Sequence, residues 1–309
     1  MTKPDEDDNM KLYRIELELK SSLATPLKGD TIWGHFVWGI ANHEGDEAVA
    51  QFLDGCKSFQ PPLICSSAFP HGFICKQMRE PPERVEELSP DQYAEIKKLK
   101  KMKFEKASLY LDVSDVSAND EKTISTGAFK TETHTHNSIS RTDGTVTEGS
   151  LYSVEEFWPK KDDKDTYAKF DMYVLSSYDK DKVLQLAQWA FENGYGADSS
   201  TGKGVIGDLD IQEVKLKCSS KKYMALAPFI VPDMNAISNL RADIFIRSGK
   251  IGGAFVSELS PWKKTVVLYD EGAVFESDKE IEYIGQLLTN VHSDSRICQS
   301  GFAPVIPVE

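Results

Sequence analysis

Residues 194–204 read GYGADSSTGKG: four glycines, two serines, a threonine and one lysine in eleven positions. Glycines at this density permit backbone conformations closed to other residues, and they let amides approach a polyanion with one cation to assist. The flanks decide what the segment can build. Val183, Leu186, Ala187 and Ala190 recur at helical spacing before it, and Leu209 and Ile211 alternate with polar residues after it. The segment therefore joins a helix to a strand. A P-loop runs the other way, from strand to helix, and aims a helix N-terminus at phosphate. Ala197 also stands where the first P-loop glycine belongs, and Gly204 where the magnesium-binding hydroxyl belongs. Magnesium-nucleotide chemistry is excluded on these grounds. A polyanion cradle without metal and a ligand-free connection both remain open.

The same periodicities organise the rest of the chain. Tyr13, Ile15, Leu17 and Leu19 face one way and Arg14, Glu16 and Glu18 the other, which predicts a half-buried strand. A turn, TPLKGD at 25–30, ends in Asp30 as the expected N-cap of a helix carrying Ile32, Phe36 and Ile40. Gly45 and Asp46 interrupt it, and a second helical stretch with Val49, Phe52 and Leu53 is expected to stop at Gly55 as a C-cap glycine. Residues 57–82 read as loop and short strand. Ser89, Pro90 and Gln92 form a helix start: cap serine, proline at the first position, glutamine at the third. The helix behind it is expected to carry Lys97, Lys98, Lys100, Lys101, Lys103 and Lys106, the densest basic cluster of the chain. This cluster reads either as a solvated face or as a nucleic-acid contact. Residues 112–165 are polar and read as a long loop or extended hairpin.

Alternation returns at Ala168, Phe170, Met172 and Val174. The first 215 residues thus read strand, helix, insertion, strand, helix, strand, the order of a ferredoxin-like (RRM-like) βαββαβ unit with a decorated middle. A second region begins near Lys221, with short strands expected at 223–230, 242–247, 266–269 and 305–308 and a glycine turn, GKIGG, at 249–253. A chain of 309 residues suits two modest domains. We expect an acidic disordered tail at 1–10, a first domain at 11–217 with an insertion over about 77–165, and a second domain at 218–309.

No run of eighteen apolar residues exists, so no membrane helix is expected. Five cysteines without a C-x-x-C pair suggest reduced thiols and a cytoplasmic protein. The net charge of −13 opposes nucleic-acid binding taken globally. A local groove can still be positive, and backbone amides and hydroxyls bind phosphate without altering the charge count.

Several motifs then coincide in order. TPLKGDTIWGH at 25–35 follows the first strand; NSISR at 137–141 leads to TEGSLY at 147–152; the glycine loop at 194–204, the turn at 249–253 and GFAPVIPV at 301–308 follow. This ordered set, spanning residues 11–308, resembles the end-capping RAMP subunit of type III-A CRISPR (Csm) interference complexes. The resemblance implies an α+β fold of two ferredoxin-like (RRM-like) RAMP domains, the first with a large hairpin and helical insertion. It implies a non-catalytic RNA-binding subunit, without cofactor, that holds the 5′ handle of the crRNA in antiviral defence. The implied partners are the large polymerase-like subunit, the repeated backbone RAMP subunit and, indirectly, target RNA.

RNA held at a single-stranded end is read through unstacked bases, 2′-hydroxyls and phosphates. Lys28, Arg141, Lys203 and Lys250 are the candidate cations at loop sites, and Thr31, Asn137, Ser138, Ser200 and Thr201 the candidate hydrogen-bonding groups. Gly202, Gly204, Gly252 and Gly253 are the candidate backbone contacts, and His35 joins them through the resemblance. The strands lack an RRM aromatic signature, so sheet-face stacking is not expected. Among the other histidines, His134 and His136 would share one strand face but lack a third metal ligand at a recognisable spacing, and His292 lacks a matched nucleophile motif. The alternative is a metal-independent RAMP endoribonuclease that processes precursor crRNA, with His35 as general base.

Overall fold

In a computed structural model the described residues are 10–80, 89–113, 123–124, 129–159, 169–252 and 260–309. The expected tail up to residue 9, parts of the insertion and Gly253 lie outside them. The first half begins with β1 (Lys11–Leu19), α1 (Gly29–Glu44), α2 (Asp46–Lys57) and β2 (Leu63–Pro70). β3 (Phe73–Cys75) follows, and the insertion holds α3 (Pro90–Lys101), β4 (Phe104–Lys106), β5 (Thr123–Ile124) and the paired β6 (Phe129–His136) and β7 (Tyr152–Pro159). Then come β8 (Lys169–Ser176), α4 (Lys180–Phe191) and β9 (Ile206–Glu213). One antiparallel sheet has the order β2-β8-β1-β9, so the first half without its insertion is connected β-α-β-β-α-β.

The second half holds β10 (Lys222–Ala225), β11 (Ser238–Arg241), β12 (Ile244–Arg247), β13 (Val266–Tyr269), β14 (Val274–Glu276), β15 (Tyr283–Ile284), β16 (Leu287–Leu288), β17 (Gln299–Ser300) and β18 (Ala303–Pro307). Its main sheet has the order β11-β14-β10-β18-β15, and β12 with β13 forms a separate ribbon. Among the described residues this half contains no α-helix. The whole is a mixed α/β fold of mostly antiparallel sheets.

Local chemistry accounts for the elements. Asp179 caps α4 by accepting from the Lys182 amide at 2.8 Å. Ser89 and Gln92 close the expected reciprocal box on α3: the Gln92 amide donates to Ser89 Oγ at 3.2 Å, and the Ser89 amide to Gln92 Oε1 at 3.0 Å. Gly39 lets α4 press on α1, since a Cβ there would lie 3.0 Å from the Ala190 amide nitrogen. One face of the first sheet carries Tyr13, Ile15, Leu17 and Leu19 into a core with α1, α2 and α4. The other face is covered too. Leu12 and Tyr173 pack with Met224, Leu226, Val274 and Ile306 of the second half and with Tyr110 and Leu111 of the insertion.

Four expectations change as a result. The face holding Arg14 is not solvated: Arg14 is only 2% exposed, because the second half covers that side of β1. Asp30 is not the N-cap; Lys28 occupies that place without a side-chain cap, and Asp30 sits buried in the first turn. Gly55 does not end α2, which runs to Lys57; a Cβ at 55 would lie 2.9 Å from the Gln60 carbonyl oxygen, so close approach selects the glycine. Residues 63–70 form a full eight-residue strand, whose buried, non-alternating sequence gave no period-two signal.

Candidate nucleic-acid interface

Helix α1 organises the site. It buries Ile32, Trp33, Phe36, Gly39 and Ile40, and carries Thr31, Gly34, His35 and Trp38 on an adjoining, partly covered face, where His35 packs on Phe191 and Tyr195. At 3.6 residues per turn these four lie within about 100° of one another. Both glycine segments reach this face. The Gly196 amide donates to His35 Nε2 at 3.1 Å, and the Ala197 amide to Thr25 Oγ1 at 3.0 Å. From the other side Gly252 lies against Trp38, where an added Cβ would be 3.2 Å from the indole nitrogen. A Cβ on Gly34 would meet nothing within 4 Å. Residues 194–204 and 249–252 therefore converge on one turn of α1.

The 194–204 loop follows α4 and precedes β9, in the expected order. Its glycines at 194, 196, 202 and 204 all have positive φ, as does Asp198. The Tyr195 amide donates to the Gly204 carbonyl at 2.8 Å and closes the loop, and the Gly204 amide donates to the Ser22 carbonyl at 2.7 Å. The amides of Thr201, Gly202 and Lys203 donate to the carbonyls of Asp198 and Ser199. The loop is thus a self-bonded platform more than an open amide cradle, and it presents Ser200, Thr201 and Gly202 to solvent. Buried Tyr195 pins it, donating its hydroxyl to the Pro26 carbonyl at 2.8 Å and packing its ring, tilted, 4.9 Å from that of His35. Burial pulls the His35 pKa down to about 4, against a hydrogen bond with Ala190. His35 is therefore neutral at pH 7, with Nε2 accepting from the loop.

Two of the sequence-predicted cations, Lys28 and Lys203, have acidic partners. Lys203 Nζ lies 2.7 Å from Glu156 of β7 and 3.2 Å from Asp198. Lys28 Nζ lies 2.8 Å from Asp270 and 2.5 Å from Glu271, and Ser67 Oγ donates to Glu271 at 3.1 Å. Arg247 forks onto Asp30 at 2.8 and 2.7 Å, and Gln299 Nε2 adds a third donor to that carboxylate at 3.1 Å. Lys250 is exposed and rests over the Trp262 ring, 4.6 Å from its centroid. These pairs join the halves: residues 28 and 30 bind 270, 271 and 247.

One lysine between two carboxylates leaves a surplus negative charge. Burial and the neighbouring Asp270 push Glu271 up to about 7 although Lys28 opposes them. A carboxyl whose folded pKa exceeds its unfolded value of 4.5 favours the folded state when protonated. That contribution is fully present below about 4.5 and is lost as pH rises through about 7. His71 adds a smaller trend of the same sign, because its hydrogen bond to Asp171 raises its pKa. Urea unfolding is therefore expected to show stability declining between pH 5 and 8, by on the order of 3 kcal/mol. Glu271→Gln should flatten most of that decline; an unchanged slope in the variant would remove Glu271 as its source.

The remaining candidates lie elsewhere. Asn137, Ser138 and Arg141 sit exposed beyond the β6–β7 ladder, whose register runs from Phe129↔Pro159 to His136↔Tyr152. Glu156, the partner of Lys203, pairs with Glu132, so position 137 is five residues further out, about 17 Å along the strand. The structure thus brings Thr31, His35, Gly202, Gly204, Lys250 and Gly252 to one helix face and its flanks, and leaves Asn137, Ser138 and Arg141 at the hairpin end. In α3, Lys97, Lys100 and Lys101 are exposed, while Lys103 and Lys106 fall beyond the helix, Lys106 in β4.

Sequence reasoning missed a polar cluster on the covered face of the first sheet. His71 Nδ1 lies 3.0 Å from Asp171 Oδ1 and 3.1 Å from Glu16 Oε2. Asp171 Oδ2 accepts from the Gly72 amide at 2.8 Å, and Glu16 Oε1 from Lys169 at 2.5 Å. The three donor groups are close enough to hold a cation. Three of their four carboxylate oxygens already accept a hydrogen, and the fourth, Glu16 Oε2, lies in ion-pair range of His71, so the cluster works as an internal ion-pair network. No spacing in the sequence links these residues.

No protein-family model and no curated protein matches the chain. Among solved structures, a chain of the Csm1–Csm4 cassette in complex with pppApA is similar at 15% identity with a TM-score of 0.59, over 97% of this chain and 98% of that one. The same cassette in complex with cA4 matches at 15% identity and a TM-score of 0.59. A chain of the Csm3–Csm4 subcomplex in the type III-A CRISPR-Cas interference complex is similar at 14% identity with a TM-score of 0.57, over 97% of this chain and 100% of that one. Csm4 is the component common to these assemblies, and the fold of this chain is Csm4-like. Among the described residues no helix is long and apolar enough to cross a membrane.

Proposed function

We propose that this chain is the RNA-binding end subunit of a type III-A CRISPR interference complex, holding the 5′ handle of the crRNA in the cytoplasm. It caps the backbone RAMP subunit beside the large polymerase-like subunit and meets target RNA indirectly. In this reading residues 11–217 are a ferredoxin-like domain with an insertion, and 218–309 a second one reduced to its sheet. The observation that carries the reading is the convergence of two glycine segments on one face of α1, within a chain whose fold matches Csm4-containing assemblies almost end to end. Such a face offers a strand of RNA close backbone approach and hydroxyl donors.

The role is to hold RNA without cleaving it. The geometry supports this, since a general base needs a free lone pair and a pKa near the working pH. His35 has neither: Nε2 accepts from Gly196 and its pKa lies near 4. Co-expression with the neighbouring subunits is expected to yield a complex carrying a small RNA whose 5′ end resists nuclease. The purified chain should leave precursor repeat RNA intact in EDTA. A complex without RNA, or site-specific cleavage lost in His35→Ala, would overturn the proposal.

A further inference from the structure

Two of the four cations expected at this interface, Lys28 and Lys203, are ion-paired, and a lysine outside that set, Lys263, has no such partner among the described residues. Lys263 lies on the segment paired antiparallel with the glycine turn: its amide donates to the Gly249 carbonyl at 2.9 Å, and the Ile251 amide donates to Pro261 at 2.8 Å. Its stem crosses Gly249, where an added Cβ would stand 3.1 Å from Lys263 Cε. Among the described residues no carboxylate lies within 4.0 Å of its ammonium, in contrast to Lys28, Lys203 and Arg247. The nearest acid is Asp30, and that carboxylate already accepts two hydrogens from Arg247 and one from Gln299. Among the described residues Lys263 thus has only a carboxylate already saturated by Arg247 and Gln299 near it, and its ammonium stands without a hydrogen-bonded anion beside the turn that faces Trp38 of α1. Burial, with Arg247 adding to it, holds the Lys263 pKa below its ordinary value, against Asp30 and Cys298. A half-buried ammonium without an anion is costly, and it is retained where an anion arrives from outside.

We propose that Lys263 binds a backbone phosphate of single-stranded RNA at the 249–252 side of the α1 face. This rests on the RNA-binding reading above and adds to it the residue that supplies the cation. A phosphodiester suits the position: one negative charge meets one unneutralised ammonium beside glycine backbone that admits close approach.

The test compares the full-length wild-type chain with Lys263→Met and Lys263→Arg, titrated with a mixed-sequence single-stranded RNA over a range of salt. Lys263→Met keeps the stem and removes the charge. It is expected to bind about tenfold more weakly and to lower the slope of log K against log salt by about 0.7. Its thermal midpoint should be equal or higher, since a buried unpaired charge is gone. Lys263→Arg should retain most of the affinity. In the wild type, RNA should also protect Lys263 from amine acylation, a readout independent of how the variants fold. Wild-type affinity and salt slope in Lys263→Met, or equal acylation with and without RNA, would overturn the inference while leaving the RNA-binding reading intact. Failure of the wild type itself to bind RNA would overturn both.

Discussion

Asp30→Ala is expected to destabilise the protein by about 3–5 kcal/mol, because it removes one member of a buried ion pair and strands the other. The Asp30 side chain is 3% exposed and Arg247 17%, so water compensates little. Three hydrogen bonds end at this carboxylate, from Arg247 Nε, Arg247 Nη2 and Gln299 Nε2. Their donors belong to β12 and β17, whereas Asp30 belongs to the first turn of α1. The loss therefore falls on the seam between the halves. It also leaves Arg247 and Lys263 facing each other without their shared anion. In urea the midpoint should drop while the slope against denaturant stays near its wild-type value. Arg247→Met on top of Asp30→Ala should recover part of the loss, since an apolar residue in place of the orphaned guanidinium lifts its desolvation penalty. A single-variant effect below about 1 kcal/mol would show that solvent reaches the pair and that the seam is held by apolar packing alone.

That seam also explains what the sequence could and could not disclose. Elements with a local cause were legible: the alternation of β1, the Ser89–Gln92 box and the helix–loop–strand order around residues 194–204 each follow from residues within a few positions of one another. Asp30 shows where local reading stops. An aspartate before an amphipathic helix has the chemistry of an N-cap, but its partner stands 217 residues away and draws it into the first turn. Lys28 and Lys203 are candidate cations by residue type alone. Their carboxylates at 270, 271 and 156 arrive only through the tertiary fold. Alternation places Arg14 on the polar face of a half-buried strand, and the alternation is real; the sheet that covers this face comes from residues 222–307. The informative polar residues of this chain are thus paired over long sequence separations, where periodicity carries no signal. Lys263 was missed for the complementary reason, since a lysine matters here through the acid it lacks.

Gly204→Ala is the substitution expected to act most strongly on the site itself. Gly204 has φ of +67°, a region that costs an alanine about 1–2 kcal/mol. Sterics add far more, since a Cβ would stand 2.0 Å from the Tyr195 carbonyl oxygen and 2.8 Å from the Tyr195 nitrogen. That nitrogen makes the hydrogen bond that closes the loop onto the Gly204 carbonyl. The alanine cannot be accommodated while the bond stands, and Tyr195, which carries the loop on His35 and Pro26, must shift. Gly202→Ala supplies the control. Its φ is +90°, yet a Cβ there meets nothing within 4 Å, so only the conformational cost of about 1–2 kcal/mol applies. In Gly204→Ala the Tyr195 amide should lose its hydrogen-exchange protection, and RNA affinity should fall by at least tenfold. The strands β1, β2, β8 and β9 should stay protected, because the loop adds nothing to their ladders. Gly202→Ala should keep the Tyr195 amide protected and weaken RNA binding only a few-fold. Equal behaviour of the two variants would mean that any glycine-rich connection serves here and that the closed loop geometry is not what the interface uses.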